Sequence, residues 1–428
     1  MSSFELNRRN FRRLYWDVFW YGVFNGSTLT FLAVYAARLG ASTLQIGLLT
    51  SGPAIINLIL SMPASLLLQR WPVTRATFFS AILNRAWYFL PVILPLLVGA
   101  KDQVWSLVVI SIMSAIPGTM LTIAANAMVA EVVPIEERAQ LIGRRVALVS
   151  MTLTASSLLS GWLLDRITFP LNYQVVFGLG FLGAAVSAYH LWFIRSPKTL
   201  MPPPDAARLD SGRAGTIELE KVAFTVSQAL RSLVQSSGTG GKTLFRLDLL
   251  RGPFGPFMAS YLAFYTAFFL PMPIFPLFWV KDLRLADSSI SLGNSLFYAA
   301  MLGFSLLLPW MSRRFSQRRL LIGSAVMFSL YPLLTGVAHG PVTFFIACVV
   351  GGSAWGVGAG ASINRLMERV PEDDRPAHMA LHNLAFNLGM LLGAMAGPLL
   401  GDLAGLRTGL LVAAGLRLAA GFLLMIWA

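Results

Sequence analysis

EVVPIEER, residues 131–138, occurs twice: residues 368–375 read ERVPEDDR, with Glu, Val, Pro and Arg in register and two acids ahead of the arginine. Each copy leaves a long apolar run and enters another. The proline suits the first turn of a new helix, where no backbone donor is missed, and the acids after it oppose that helix's positive end. Glu131 and Glu368 sit at the carbonyl end of the preceding helix, which disfavours negative charge, so each is expected to seek a cation. A second echo supports the first: RLGASTLQIG (38–47) returns as RLADSSISLG (284–293), with Arg, Leu, Ser and Gly identical. The offsets, 237 and 246 residues, agree closely, so the chain reads as a duplication about its middle.

Composition sets the environment in which that duplication folds. Of 428 residues 56% are apolar and 12% charged, and the mean hydropathy is +0.67, which is more apolar surface than a water-soluble core can hide. The chain is therefore read as a membrane protein, and its net charge of +14 is assigned to a membrane surface rather than to nucleic acid. Cys348 is the single cysteine, which excludes an internal disulfide and a cysteine metal cluster. No nucleophile, metal set or paired carboxylates mark an enzyme, and neither a cofactor nor a bound metal is expected.

Crossing a bilayer takes roughly 20 apolar residues. Runs of that kind lie at about 14–37, 44–68, 76–99, 104–130, 143–164, 171–194, 254–280, 289–311, 320–338, 341–364, 377–403 and 406–427, giving twelve spans. The N-terminal tail and the loops after spans 2, 4, 6, 8 and 10 carry 25 of the 33 Lys and Arg, and the opposite loops carry six. That asymmetry puts both termini in the cytoplasm, and Tyr15, Trp16, Trp20 and Tyr21 fit an aromatic belt at headgroup level. Residues 195–251, rich in Pro, Ser, Gly and Arg, read as a cytoplasmic linker between an N-terminal six-helix bundle (1–194) and a C-terminal one (252–428). Residues 216–234 of the linker are a candidate amphipathic helix on anionic lipid, with a solvated helix the equal alternative. SSGTGGKT lacks a glycine and the preceding strand that a phosphate-binding loop needs.

Twelve spans in two parallel six-helix repeats joined by a long basic loop resemble the major facilitator superfamily. The likeness covers the chain outside the linker. The family's loop after span 2, Gly-x-x-x-Asp-Arg-x-Gly-Arg-Arg, is SLLLQRWPVTR here and keeps Arg70; the loop after span 8, PWMSRRFSQRR, keeps Arg314, Arg318 and Arg319. Both have lost the carboxylate, which leaves Arg70 with Glu131 and Arg314 with Glu368 as the candidate cytoplasmic pairs. The resemblance implies an all-α membrane fold, with pseudo-two-fold related halves that rock about a site near the bilayer midplane. In that architecture spans 1, 4, 7 and 10 line the cavity, spans 2, 5, 8 and 11 rim it, and spans 3, 6, 9 and 12 face lipid.

This assignment weighs the polar residues inside the bilayer, which are costly and usually face protein or water. Asn25, Asn57, Asn294, Asn383 and Asn387 are candidate substrate ligands, although interhelical bonding is the commoner use of a single Asn. Tyr261, Tyr265 and Trp355 on spans 7 and 10 suit stacking on a ring-bearing or amphipathic ligand, with core filling the ordinary alternative. Asp17 is the only carboxylate well inside the first half's cavity helices. It reads as a first-turn residue held by the helix dipole, with proton carriage the functional alternative. Arg85 and Arg417, on spans 3 and 12, are expected to snorkel or to bond neighbouring carbonyls. His378 and His382 have metal-ligand spacing without a third ligand. Pro271, Pro273 and Pro276 mark span 7 as kinked or broken, and Gly389, Gly393, Gly397 and Gly401 form a small-residue stripe on span 11.

The functional expectation is a monomeric secondary active transporter that moves a small neutral or amphipathic organic solute across a cell membrane by alternating access. Proton-linked efflux is the leading direction. A transporter-fold sensor or assembly partner that carries no solute is the alternative from another class. Fold likeness does not name the substrate.

Overall fold

The computed structural model describes residues 3–68, 71–196, 247–252, 254–370 and 375–427. Arg70, the linker from 197 to 246 with its candidate helix and SSGTGGKT stretch, and residues 371–374 of the second repeated motif lie outside them. Among the described residues the secondary structure is helical, with no strand.

Twelve spans follow in order. Span 1 comprises Ser3–Phe24, a π turn Asn25–Leu29 and Thr30–Arg38; spans 2 to 6 are Thr43–Leu68, 73–97, Ala100–Val132, Ile135–Arg166 and Leu171–Trp192. In the second half, span 7 comprises Phe254–Phe269, Ile274–Leu277 and a π turn Phe278–Asp282. Spans 8 to 12 are Asp287–Arg314, Gln317–Gly336, Pro341–Arg369, Arg375–Ala404 and Leu406–Trp427. Eleven of the described helices are long and apolar enough to cross a membrane. Span 1 is the twelfth. Its helix starts eleven residues before the apolar run does, and Asp17, Asn25, Ser27, Thr28 and Thr30 dilute its hydropathy.

Packing repeats with an offset of six. Span 1 lies on spans 5 and 6, span 2 on span 4, and span 3 on spans 4 and 6; in the second half span 7 lies on 11 and 12, span 8 on 10, and span 9 on 10 and 12. Between the halves the extensive contacts are span 2 with span 11 and span 5 with span 8, pairs that exchange under a two-fold axis. Small residues permit this closeness. A methyl added at Gly47 would lie 2.5 Å from Pro398 Cγ, and one added at Gly389 would lie 2.6 Å from Tyr265 Cβ. The glycine stripe of span 11 therefore serves its contact with span 7, where Gly393 and Gly397 meet the backbone at Thr266 and Leu270.

The first repeated motif is a helix end with its own cap. Pro134 occupies the N-cap before Ile135, one position earlier than the sequence suggests. Arg138 turns back to bond the carbonyls of Val133, at 3.0 Å, and Ala130, satisfying groups that the end of span 4 leaves without helical donors. Among the described residues Glu131 accepts a hydrogen bond from the Ser196 hydroxyl, while its expected partner Arg70 lies outside them.

Bonds between the halves gather at the end away from the termini. Arg38 donates to Asp287, 3.0 Å away, and to the Leu285 carbonyl at 2.5 Å; Thr43 bonds Asp402 at 2.6 Å, and Lys281 bonds the Ala41 carbonyl at 2.9 Å. The echoed sequences supply both partners of that latch. Arg38 opens the first copy, and Asp287 stands fourth in the second. Further in, Ser291 bonds Ser157 and Ser295 reaches the Thr154 carbonyl at 3.3 Å. Among the described residues no hydrogen bond or ion pair joins the halves at the end that carries the termini.

Candidate substrate cavity

Span 7 shapes the cavity because it is broken. Its first segment ends at Phe269, and Pro271 and Pro273 cannot donate to the preceding turn. Pro271 leaves the Ala267 carbonyl without its i+4 donor, and Met272 N–H turns to Phe269 at 3.1 Å, which frees the Phe268 carbonyl as well. On span 9, Pro332 orphans Phe328 in the same way. Arg417 supplies all three. Its guanidinium bonds the carbonyls of Ala267 at 3.3 Å, Phe328 at 2.9 Å and Phe268, and lies 4.7 Å from the centre of the Phe268 ring. The residue is completely buried. Its expected bonding to carbonyls is thus seen, and its partners are those that two prolines leave open.

Two cavities border this break and share Phe268, Phe328 and Trp355. One, of about 260 Å³, is lined by Tyr265, Ser362, His382 and Phe386; the other, of about 380 Å³, by Met272, Tyr298, Tyr331 and Arg417. The structure therefore brings Tyr265 and Trp355 together. Tyr265 hydroxyl bonds His382 Nε2 at 2.9 Å, and its ring meets Phe386 at 5.0 Å. Tyr261 lies one turn away and is fully buried, bonding the Ser362 carbonyl at 3.0 Å, so it lines neither cavity. His378 packs edge-on against Phe254 instead of joining His382.

Among the described residues both cavities are lined by the second half alone, and span 1 reaches them only through a neighbour. The π turn of span 1 inserts one residue, and Asn25 sits at that insertion, half-buried, with its side chain against the Tyr21 hydroxyl. Thr30, just beyond, bonds the Asn25 carbonyl at 2.9 Å and faces Tyr298 of span 8. Asn294 is one helical turn from Tyr298 on the same stripe. Thr30 thus links span 1 to Tyr298, which lines the second cavity, while Asn25 and Asn294 line neither.

Asp17 departs from its expected setting. The helix begins at Ser3, so Asp17 lies about four turns in and is not a first-turn residue. Its Oδ1 accepts from Ser187 at 2.6 Å and from Arg85 at 3.4 Å, and Arg145 approaches Oδ2 at 3.7 Å. Arg85 consequently pairs with a carboxylate rather than with carbonyls or the headgroup layer. Ser187 also bonds the Asp17 carbonyl at 2.9 Å, which ties span 6 to span 1. Sequence position alone signalled neither Arg145 nor Ser187.

Other candidates are spoken for. Asn57 accepts from Thr119 of span 4 at 2.6 Å, the interhelical bond that competes with a ligand role. Asn387 bonds Asn383 at 3.2 Å; both share the span 11 face that carries Ala394 and Pro398, nearer the termini and beyond the contact with span 2. The expected pair of Arg314 with Glu368 is not the arrangement found. Glu368 bonds Arg365 at 2.8 Å, three residues back on its own helix, and Arg314 lies over Trp310 at 4.7 Å. A neighbour one turn away orders less side chain than a partner on another span.

Comparison with known proteins bears on the fold that holds these residues. The profile described as Major Facilitator Superfamily matches residues 18–252 and 257–428. Among curated proteins none matches the sequence. The nucleoside transporter NupG superposes with a TM-score of 0.64 at 18% identity, covering 97% of this chain and 98% of its own. The inward-open xylose transporter XylE from E. coli gives 0.66 at 13%, covering 99% and 96%. A POT family transporter in complex with 5-aminolevulinic acid gives 0.69 at 13%, covering 98% and 96%. At these identities the likeness speaks for the fold, while the profile spans nearly the whole sequence: the chain belongs to the Major Facilitator Superfamily.

Proposed function

We propose that the protein is a secondary active transporter of a small organic solute, neutral or amphipathic, which binds between Asn25 and Asn294 on one side and Tyr265 and Trp355 on the other. The observation that carries this reading is the one-ended closure. Arg38–Asp287, Thr43–Asp402 and Lys281–Ala41 hold the halves together at the end away from the termini, and Ser291–Ser157 and Ser295–Thr154 continue the seam inward from it. In this reading residues 1–194 and 252–428 are the two moving bodies and residues 195–251 their linker. The excess of Lys and Arg on the terminal side supports assigning the open end to the cytoplasmic face of a cell membrane.

The cavity walls support the solute class. Aromatic faces, one imidazole and a few hydroxyl groups suit an uncharged ring or an amphipath, and the one cation in the lining, Arg417, is already taken up by backbone carbonyls. Asp17 is the coupling candidate, because among the described residues no other carboxylate is buried within a span away from its ends. Efflux coupled to proton entry is the direction we assign. Purified protein in liposomes, given labelled candidate solutes with and without an imposed pH gradient, tests this. Solute flux that follows the gradient and is lost with Asp17→Asn supports it. Flux indifferent to the gradient removes the proton coupling, and absence of flux for every solute class favours a sensor or assembly partner.

A further inference from the structure

Spans 1 and 5 form a second concavity that the transport reading does not use. It has a volume of about 500 Å³ and is lined by Arg8 and Arg12, one turn apart on span 1, by Arg144 of span 5, and by Tyr15, Trp16 and Phe19. The three arginines are exposed, and none of them pairs with a described carboxylate. Their neighbours are committed elsewhere. Arg13 meets His190 Nδ1 at 3.1 Å and covers the Phe193 ring, and Arg145 reaches Asp17. Helical periodicity puts this groove on the outer face of span 1, since Asp17, Tyr21 and Asn25 occupy the opposite, inward side. Three cations converging on one cavity repel each other unless an anion joins them.

We propose that the groove is a binding site for the phosphodiester headgroup of an anionic phospholipid, with an acyl chain lying along Phe19 and Leu148. The wall changes character along its length as such a molecule does. Arginines stand at the end nearer the N-terminus, Tyr15 and Trp16 follow at headgroup depth, and Phe19 and Leu148 continue toward the bilayer core. Trp16 is 45% exposed, an aromatic surface that lipid can cover. A free phosphate would use the arginines and leave the apolar half of the groove bare.

The test uses the full chain in nanodiscs of mixed phosphatidylglycerol and phosphatidylcholine, with retained lipid measured by native mass spectrometry after release. Wild type should retain phosphatidylglycerol selectively, and the triple variant Arg8→Gln/Arg12→Gln/Arg144→Gln should lose about a hundredfold in that selectivity, from three headgroup-level arginines. A control with the same charge change on exposed arginines outside the groove, Arg9→Gln/Arg251→Gln/Arg319→Gln, should stay within about threefold of wild type. Arg144→Gln alone should give an intermediate loss, which keeps the result readable where the triple variant folds poorly. Equal losses in groove and control variants would overturn the site, as would release of the lipid by millimolar inorganic phosphate.

Discussion

The two halves hold a buried arginine in the same niche by different means. In the first half Arg85 of span 3 lies among spans 1, 3 and 6; in the second, Arg417 of span 12 lies among spans 7, 9 and 12. Six-helix duplication makes those niches equivalent, yet the arginine comes from span 3 in one and from the last span in the other. Arg85 meets a carboxylate, whereas Arg417 meets three carbonyls opened by prolines. A guanidinium with five fixed donors serves either purpose. The first half thus gathers two arginines around one buried carboxylate, and the second uses its cation to hold a broken helix in shape beside the cavity.

Removing Arg417 should have the largest effect. Arg417→Met leaves three buried carbonyls without donors, at ~1 to 3 kcal/mol each, so the melting temperature in detergent should fall sharply. Adding Pro271→Ala and Pro332→Ala gives Ala267 and Phe328 amide donors again and should recover part of that loss. Equal melting with and without the prolines would show that the donor replacement is wrongly assigned.

Breaking the ionic counterpart comes next. Asp17→Asn leaves Arg85 buried without its counter-charge, and losing one partner of a buried pair costs ~3 kcal/mol or more in soluble proteins. Bonds inside membranes usually weigh less, so about 2 kcal/mol is expected here. Asp17→Asn with Arg85→Gln should be less destabilised than the sum of the single changes, as measured by a double-mutant cycle. Strict additivity would mean that the 3.4 Å approach carries no energy.

The outer latch is smaller and conformational. Arg38→Gln removes a partly exposed pair worth about 1 kcal/mol, which should raise by roughly fivefold the rate at which a membrane-impermeant thiol reagent labels Asn294→Cys from the latch side of the membrane. An unchanged rate would show that the bond does not hold that end closed. Asn387→Ala should do least to stability, within about 0.6 kcal/mol, the usual size of a side-chain hydrogen bond inside a membrane, since its partner Asn383 is one turn away on the same span. A much larger change in denaturation would make the Asn383–Asn387 contact structural.

Much of the fold is legible in the sequence because apolar length and basic asymmetry are read segment by segment. The two echoed motifs expose the duplication, and Pro271 and Pro273 announce the break in span 7. Depth along span 1 is not legible. The polar stretch from Ser3 to Arg13 looks like a tail to a hydropathy window but continues the same helix, so the sequence puts Asp17 too near its start. The roles of Arg145, Ser187 and Tyr298 depend on which faces of distant spans meet, and no local pattern records that. Arg417 reads as a carbonyl binder, yet its link to Pro271 and Pro332 needs three segments spread over some 150 residues to converge. Arg314 and Glu368 pair only by analogy between loops, and each finds a closer neighbour.

The central claim is that the two halves exchange closure at one end for closure at the other. Cys348 is the single native cysteine, so Cys348→Ala gives a background for spin-label pairs across spans 5 and 8, one at Asp165 and Ser288 and one at Gln140 and Arg313. Distances measured in nanodiscs with saturating solute should move in opposite directions, the first pair lengthening while the second shortens. Both distances staying fixed, or both changing in the same sense, while solute is transported would contradict the account.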